Sequence, residues 1–394
     1  MQTRRRFIGN VATGLAGSLA TGRVLGANDR IRVGVIGVGE RGTVLMREAS
    51  ACPNTEVVGV ADVYARRLEE TNVRGYSDYR ALLDDSTIDA VIIATPQHLH
   101  GEQFLAALEA GKHVFIEKTM AFTFEEATRM RAAFERANGR VVQVGHQWCS
   151  SGHVADAANY LGSGWVGQVT AIRAQMFRNT PHGKPQWTRP VFPDMTSGRI
   201  DWKAFLGPAP ARDFDPDRYV NWRLFEAYSG GNIHENLSHQ LAFWYKVMNL
   251  GIPRSVLMAG GIFRWKDGRE VPDTISVAME HYEEILFTWD SGFGSNHPGT
   301  GEEVLGTEGT IVRGQQIRYM PQKVNRPEGI EQLGQTPTAP RAHMQNFLDS
   351  IRTGKETSCP FEIGYRVSVT CRMALDSYCL RRAVYWDPAT EQII

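Results

Sequence analysis

Residues 31–36 (Ile-Arg-Val-Gly-Val-Ile) run directly into Gly37-Val38-Gly39-Glu40-Arg41-Gly42, and a helical stretch from Thr43 to Ala49 follows. A strand that enters a helix through G-x-G-x-x-G leaves few folds open. Gly37 permits the tight turn, Gly39 lets the backbone approach a pyrophosphate, and Gly42 lets helix and strand pack closely. The helix N-terminus then presents free N–H groups to the anion. Such glycines also occur where a turn merely joins two elements, so the context decides. A second strand, Val57 to Ala61, ends in Asp62, 20 residues after Gly42. A carboxylate there would hold the adenosine ribose hydroxyls and repel a 2′-phosphate, which favours NAD over NADP. Arg66 and Arg67 lie close enough to weaken that preference, and the bland alternative for Asp62 is an ordinary strand-end turn residue.

The alternation of strand and helix continues. Asp89 to Ala94 is nearly all apolar, as a parallel strand covered on both faces should be, and it ends in Thr95-Pro96-Gln97-His98-Leu99-His100. A helix from about Gly101 to Ala110 leads to strand His113 to Ile116, which ends in Glu117-Lys118-Thr119. A further helix, Phe124 to Asn138, leads to strand Val141 to Val144. Ligands of such sheets bind beyond the carboxyl ends of the strands, where Gly37, Asp62, Thr95, Glu117 and Gly145 all fall. The expected fold class is therefore a Rossmann α/β domain, residues 28–148. From about Trp148 longer strands and aromatic loops predict an α+β domain with a mostly antiparallel open sheet, residues 149–394. Candidate strands there are 169–177, 254–263, 274–282, 284–289 and 310–312. Residues 321–340 contain four prolines and read as a long surface loop.

The first 27 residues read as an address. Arg4-Arg5-Arg6 precedes a short Gly/Ala-rich apolar run and a small-residue end at Leu25-Gly26-Ala27, the pattern of a twin-arginine export leader. A retained anchor is the alternative, although Asn10, Thr13, Ser18, Thr21 and the glycines make the run short and polar for a span. Without these residues the chain has 39 basic and 43 acidic side chains, so it is mildly acidic and unlike a nucleic-acid binder. No later run is apolar enough to span a bilayer. Five cysteines are too few for a disulfide scaffold, and Cys371 and Cys379 on one helix would stand about 12 Å apart. Mostly buried free thiols are expected.

The most informative stretch of the second half is Gly230 to Gln240, followed by an apolar helix from Leu241 to Met248. Glu235 and His239 are four residues apart and would share one helix face, where a carboxylate can orient an imidazole for proton transfer. A buried core histidine is the competing reading. A metal site of His234, Glu235 and His239 ranks below catalysis, because the spacing is not that of a zinc-protease helix. Trp148 and Trp187 are candidates for a sugar-facing pocket, whereas Trp244 reads as core. Arg178, His182 and Tyr219 are possible donors to hydroxyls.

The run from Asp89 through Ala121 closely resembles the Gfo/Idh/MocA oxidoreductases, NAD(P)-dependent enzymes acting mainly on sugars and polyols. The resemblance rests on the Gly-rich turn, Asp62, Thr95-Pro96, His100, Glu117-Lys118 and the Gly-Lys-His turn at 111–113, and it extends through most of the chain. Asp201 to Pro210 and Asn346 to Arg352 look like an exported bacterial branch. The family has Pro after the Glu-Lys pair, where this chain has Thr119. It places Asp four residues before its active-site His, where this chain has Glu235. The resemblance implies NAD bound by Gly37, Gly39, Glu40, Arg41 and Gly42 in the turn, by Asp62, Thr95, Pro96, His98 and His100, and by Glu117, Lys118 and Gln147. It implies His239 as general base, Lys118 polarising the reacting oxygen and Glu235 setting the imidazole, with no metal. A homo-oligomer built through the open sheet is expected, with a sugar or glycoside as partner and no nucleic acid.

Export bears on the reaction. Outside the cytoplasm a dehydrogenase has no free NAD pool, so the cofactor should stay tightly bound. The expected activity is hydride transfer on a sugar or glycoside in the periplasm. The alternatives are a redox-neutral NAD-dependent glycosidase or epimerase, and a non-catalytic sugar-binding protein.

Overall fold

The computed structural model describes residues 30–394; the expected leader, residues 1–27, lies outside the described residues. Six strands form the first sheet: β1 (Ile31–Ile36), β2 (Thr55–Ala61), β3 (Arg74–Tyr76), β4 (Ala90–Ile93), β5 (His113–Ile116) and β6 (Val142–Val144). Their order is β3-β2-β1-β4-β5-β6 and every pairing is parallel. The strand order reverses between β1 and β4, the crevice where dinucleotides bind in doubly wound sheets. β4 is buried at every residue, which explains its unbroken apolar run.

Ten strands form the second sheet: β7 (Val169–Phe177), β8 (Ser255–Gly261), β9 (Thr274–Glu280), β10 (Leu286–Gly292), β11 (Thr300–Gly306), β12 (Gly309–Arg313), β13 (Ile317–Pro321), β14 (Gln332–Leu333), β15 (Val384–Asp387) and β16 (Gln392–Ile393). All pairs are antiparallel except β7 with β10. Residues along β7 to β10 alternate between buried and more open positions, so one face packs on helices. The other face leaves Leu257 and Leu286 exposed.

Helix Ser238–Met248 lies across the packed face and is pinned by a buried polar network. Arg313 Nη1 donates to both oxygens of Glu302 at 2.5 and 2.6 Å. Glu302 also accepts from Gln240 Nε2 (2.8 Å) and Trp244 Nε1 (2.9 Å), and Gln240 Oε1 accepts from Trp289 Nε1 (2.6 Å). A buried ion pair of this kind needs its remaining hydrogen-bond capacity filled; neighbouring side chains fill that of Glu302, while Arg313 Nε is buried without a partner. Trp244 is core, as expected.

The chain then returns to the first sheet. Met344, Phe347 and Leu348 of helix Ala342–Thr353 share a core with Ile31, Val33, Val35 and Phe115. A segment from the far end of the sequence thus completes the core of the first sheet, which a division of the chain at residue 148 does not convey. All five cysteines are free thiols; four are buried and Cys379 is exposed. Among the described residues no helix is long and apolar enough to cross a membrane.

Candidate active site

A cavity of about 540 Å³ opens at the carboxyl ends of β1, β2 and β4. Gly37, Gly39, Glu40, Arg41, Asp62, Thr95 and Pro96 line it, as the sequence leads one to expect. Gly37 has φ +85°, a conformation natural for glycine. A Cβ on Gly42 would stand 1.9 Å from the Gly37 carbonyl oxygen, so only glycine allows that approach. Gly39 precedes helix Glu40–Ser50 without a side-chain cap, so the first turn's N–H groups face the cavity free. Arg41, Arg67, Arg189 and Arg223 also reach its walls. Bare amides, close glycines and guanidinium groups fit a dinucleotide pyrophosphate.

Asp62 is more engaged than its expected role requires. Its carboxylate accepts from the backbone N–H of Val38 and of Tyr64, both at 2.9 Å, and pairs with Arg67 Nη1 at 3.2 Å. Arg67 Nη1 also reaches the other oxygen at 3.3 Å, so the carboxylate's roughly four acceptor sites are engaged and a ribose hydroxyl must share or displace one of these contacts. Arg67 is itself packed against the rings of Tyr64 and Tyr219.

The cavity has a roof that the sequence did not reveal. Residues 189–223 arch over it, contributing Arg189, Phe205, Tyr219 and Trp222. Arg189 grips Glu40 of the glycine turn through two hydrogen bonds, at 2.7 and 3.1 Å. Arg199 holds Glu69 with two bonds of 2.7 Å, and Tyr64 donates to Asp194 at 2.5 Å. Backbone pairing of Tyr64 with Ile200 completes the closure.

Beyond the cavity, at the end of β5, Lys118 Nζ meets Glu235 Oε2 at 2.9 Å. The Lys118–Thr119 peptide is cis, and Thr119 Oγ1 donates to the His234 carbonyl at 3.0 Å. Glu235 also accepts from Gln97 Nε2 (2.6 Å) and Arg223 Nε (3.3 Å). Burial alone would raise its pKa, but Lys118 and Arg223 together hold the carboxyl down at about 2. Glu117 is taken by Arg41, whose Nε lies 2.7 Å away.

The expected pairing of Glu235 with His239 is not what the structure shows. Residues Ile233–Leu237 form a turn of π-helix before helix Ser238–Met248. The wider turn breaks the i, i+4 alignment of a regular helix, and Glu235 turns to Lys118 instead. His239 is half-buried, and its Nδ1 is buried without a protein partner. Burial, then the Lys118 charge, hold its pKa well below the ordinary value, so the imidazole is neutral near pH 7. His239 packs on Trp148 (5.4 Å between centroids), which Arg313 backs from 4.6 Å. The three candidate metal ligands do not converge, because His234 Nδ1 faces Gln97 Oε1 at 3.0 Å.

Three expected cofactor contacts are placed elsewhere. His98 Nε2 bonds to the Phe205 carbonyl at 2.8 Å, with its ring between Phe205 and Tyr228, so it anchors the roof. His100 is wholly buried and bridges the carbonyls of Thr119 and Thr95, bracing two strand ends. Gln147 is exposed and outside the cavity wall. Conversely, Gln97, Arg223 and His146 belong to the site and were not singled out from sequence. His146 is fully buried with both ring nitrogens unpartnered and stands edge-on to His239 at 5.5 Å. Its position directly after Gly145, at the end of β6, was the available signal.

Residues 31–146 match the sequence profile of the GFO_IDH_MocA family, described as an oxidoreductase family with an NAD-binding Rossmann fold. Over these residues the chain is similar to the Gfo/Idh/MocA oxidoreductases. Inositol 2-dehydrogenase of Salmonella typhimurium is 29% identical over 154 residues, covering 37% of this chain and 46% of that protein. Levoglucosan dehydrogenase of Pseudarthrobacter phenanthrenivorans is 29% identical over 292 residues, covering 68% of this chain and 64% of that protein. The chain spans about half the length of the first curated relatives, 57% and 46%. A solved levoglucosan dehydrogenase in complex with NADH and levoglucosan superposes with TM-score 0.69 at 20% identity, covering 91% of this chain and 99% of that one. That likeness establishes the two-sheet fold over nearly the whole length.

Proposed function

We propose that the protein is an NAD-dependent oxidoreductase acting on a sugar or glycoside, exported through its Arg4-Arg5-Arg6 leader and retaining its cofactor between turnovers. The observation that carries the reading is the Lys118–Glu235 pair with a neutral His239 beyond the pyrophosphate cavity. Two curated relatives, named for inositol and levoglucosan, support the substrate class. A nicotinamide bound there would supply the hydride acceptor. His239 takes the proton of the substrate hydroxyl, worth roughly 10²–10⁴ in rate. Lys118 Nζ, fixed at 2.9 Å by Glu235, donates a hydrogen bond to the same oxygen. Arg41 leaves Glu117 tied down, so it serves the architecture of the turn.

A redox-neutral cycle, such as glycoside cleavage or epimerisation, is the second reading. It is favoured by the roof, whose contacts to Glu40 and Glu69 oppose cofactor exchange. The exposed apolar residues of the second sheet, Leu257 and Leu286, support self-association through that face. The test is to add glycosides and free sugars to the purified protein without cofactor and follow the near-ultraviolet band of reduced nicotinamide. Net reduction supports oxidation, and product without net change supports cycling. No bound nicotinamide and no response with cofactor added would refute both.

A further inference from the structure

The arginines around the cleft are matched to carboxylates with one exception. Arg41 pairs with Glu117, Arg67 with Asp62 and Arg189 with Glu40. Arg223 shares Glu235 with Lys118. Arg178 makes no ion pair among the described residues; its one side-chain contact is Nη2 to the thioether sulfur of Met176 at 3.3 Å. It directly follows β7, in which Ile172, Ala174 and Met176 point to the packed face. The two-residue period puts Arg178 next on that face, toward the helix carrying Glu235 and His239. The segments are tied together there. Asn232 Nδ2 donates to Ser291 Oγ at 2.7 Å, and Ser291 donates to the Met176 carbonyl at 2.6 Å. Burial weakens the guanidinium's hold on its proton, and Glu235 is the acid that offsets this.

Three cations, Lys118, Arg223 and Arg178, thus face one carboxylate. The cofactor does not account for the excess at Arg178, which lies outside the walls of the pyrophosphate cavity. The adjoining loops add no acid: residues 178–189 and 293–299 contain Arg178, His182, Lys184, Arg189 and His297 and no Asp or Glu. They are joined by the Asn179 N–H donating to Asn296 Oδ1 at 2.6 Å. A half-buried guanidinium with no ion pair of its own, sharing a distant Glu235 with two other cations, is costly, and a ligand carboxylate that fits its planar fork reduces the cost.

We propose that the substrate is an acidic sugar, a uronic acid or its glycoside, whose carboxylate is received by Arg178. This rests on the sugar-oxidoreductase reading and narrows it. Arg178 follows β7 beside the helix that carries Glu235 and His239, so a carboxylate held there fixes how the sugar is oriented toward these groups.

The test compares matched pairs on the cofactor-loaded protein: D-glucuronate with D-glucose, D-galacturonate with D-galactose, and the methyl glycosides of each. Calorimetry reads binding, and nicotinamide absorbance reads chemistry. The acids should bind roughly 10- to 100-fold more tightly than their neutral partners. Arg178→Met should reduce that ratio to near one, and Arg178→Lys should keep part of it. Equal or better binding of the neutral sugars, no binding of any acid, or an acid preference that survives in Arg178→Met would overturn the proposal. A nicotinamide response to neutral sugars alone sinks the carboxylate and spares the oxidoreductase. Acids that bind through Arg178 without any nicotinamide response do the reverse.

Discussion

Glu235→Gln keeps the shape of the side chain and can keep the contact to Gln97, but it removes the charge that Lys118 and Arg223 share. The carboxyl is held at about 2 against an ordinary 4.5, despite a burial that opposes ionisation. At about 1.4 kcal/mol per unit, the ionised form contributes about 3 kcal/mol to folding. The direction follows from the depressed folded value. The unfolded chain takes up the proton first as pH falls, so the stabilisation is complete above pH 4.5 and is lost on the way down to pH 2. Removing the charge also leaves two half-buried cations, Lys118 and Arg223, without their anion, which acts in the same direction. Urea unfolding of wild type and variant, at fixed cofactor concentration, measures the gap at each pH. It should be about 3 kcal/mol at pH 7 and narrow by about 1 kcal/mol at pH 3.5. A gap that is the same at both pH values would show that the ion pair does not carry this stabilisation.

The other predictions concern the cofactor cleft. Arg189→Ala removes the clasp on Glu40; because that pair is largely exposed, release of bound NAD should quicken only about 2- to 5-fold, and high salt should quicken wild-type release similarly. Exchange against labelled NAD measures it, and a rate blind to both changes would mean the roof does not retain the cofactor. Gly42→Ala must push the turn open around the Gly37 carbonyl, so activity should fall by about 10²-fold while the protein stays folded, read from turnover and circular dichroism. Unchanged turnover in that variant would contradict the close-approach argument.

Much of this architecture is legible in the sequence because single residues carry it. The strand limits Ile31–Ile36, His113–Ile116 and Val169–Phe177 coincide with the expected ones, since apolar runs between glycines and polar turns leave little choice. β11 (Thr300–Gly306) escaped notice because, of its two buried residues, Glu302 and Val304, one is a glutamate. A pattern that treats every glutamate as outward-facing cannot anticipate Arg313 across the ladder. The Glu235–His239 pairing failed for a different reason. Side-chain periodicity assumes a constant helical pitch, and the π turn at Ile233–Leu237 changes that pitch just where the chemistry sits. The family resemblance implies His98 and His100 as cofactor contacts; their ring nitrogens instead satisfy buried carbonyls, a demand visible only once the roof and the strand ends are in place. The roof itself, residues 189–223, left no periodic trace, because its contacts are ion pairs and aromatic edges distributed along an irregular segment.

The return of helix Ala342–Thr353 to the first sheet has a consequence for biosynthesis. The ribosome releases β1 to β6 early, yet Phe347 and Leu348, which seal their inner surface, emerge near the end of translation. At roughly 5–20 residues per second, the nascent nucleotide-binding half waits many seconds with that surface bare. It is then a client for chaperones, and a messenger truncated before codon 342 would yield a product that stays in their care.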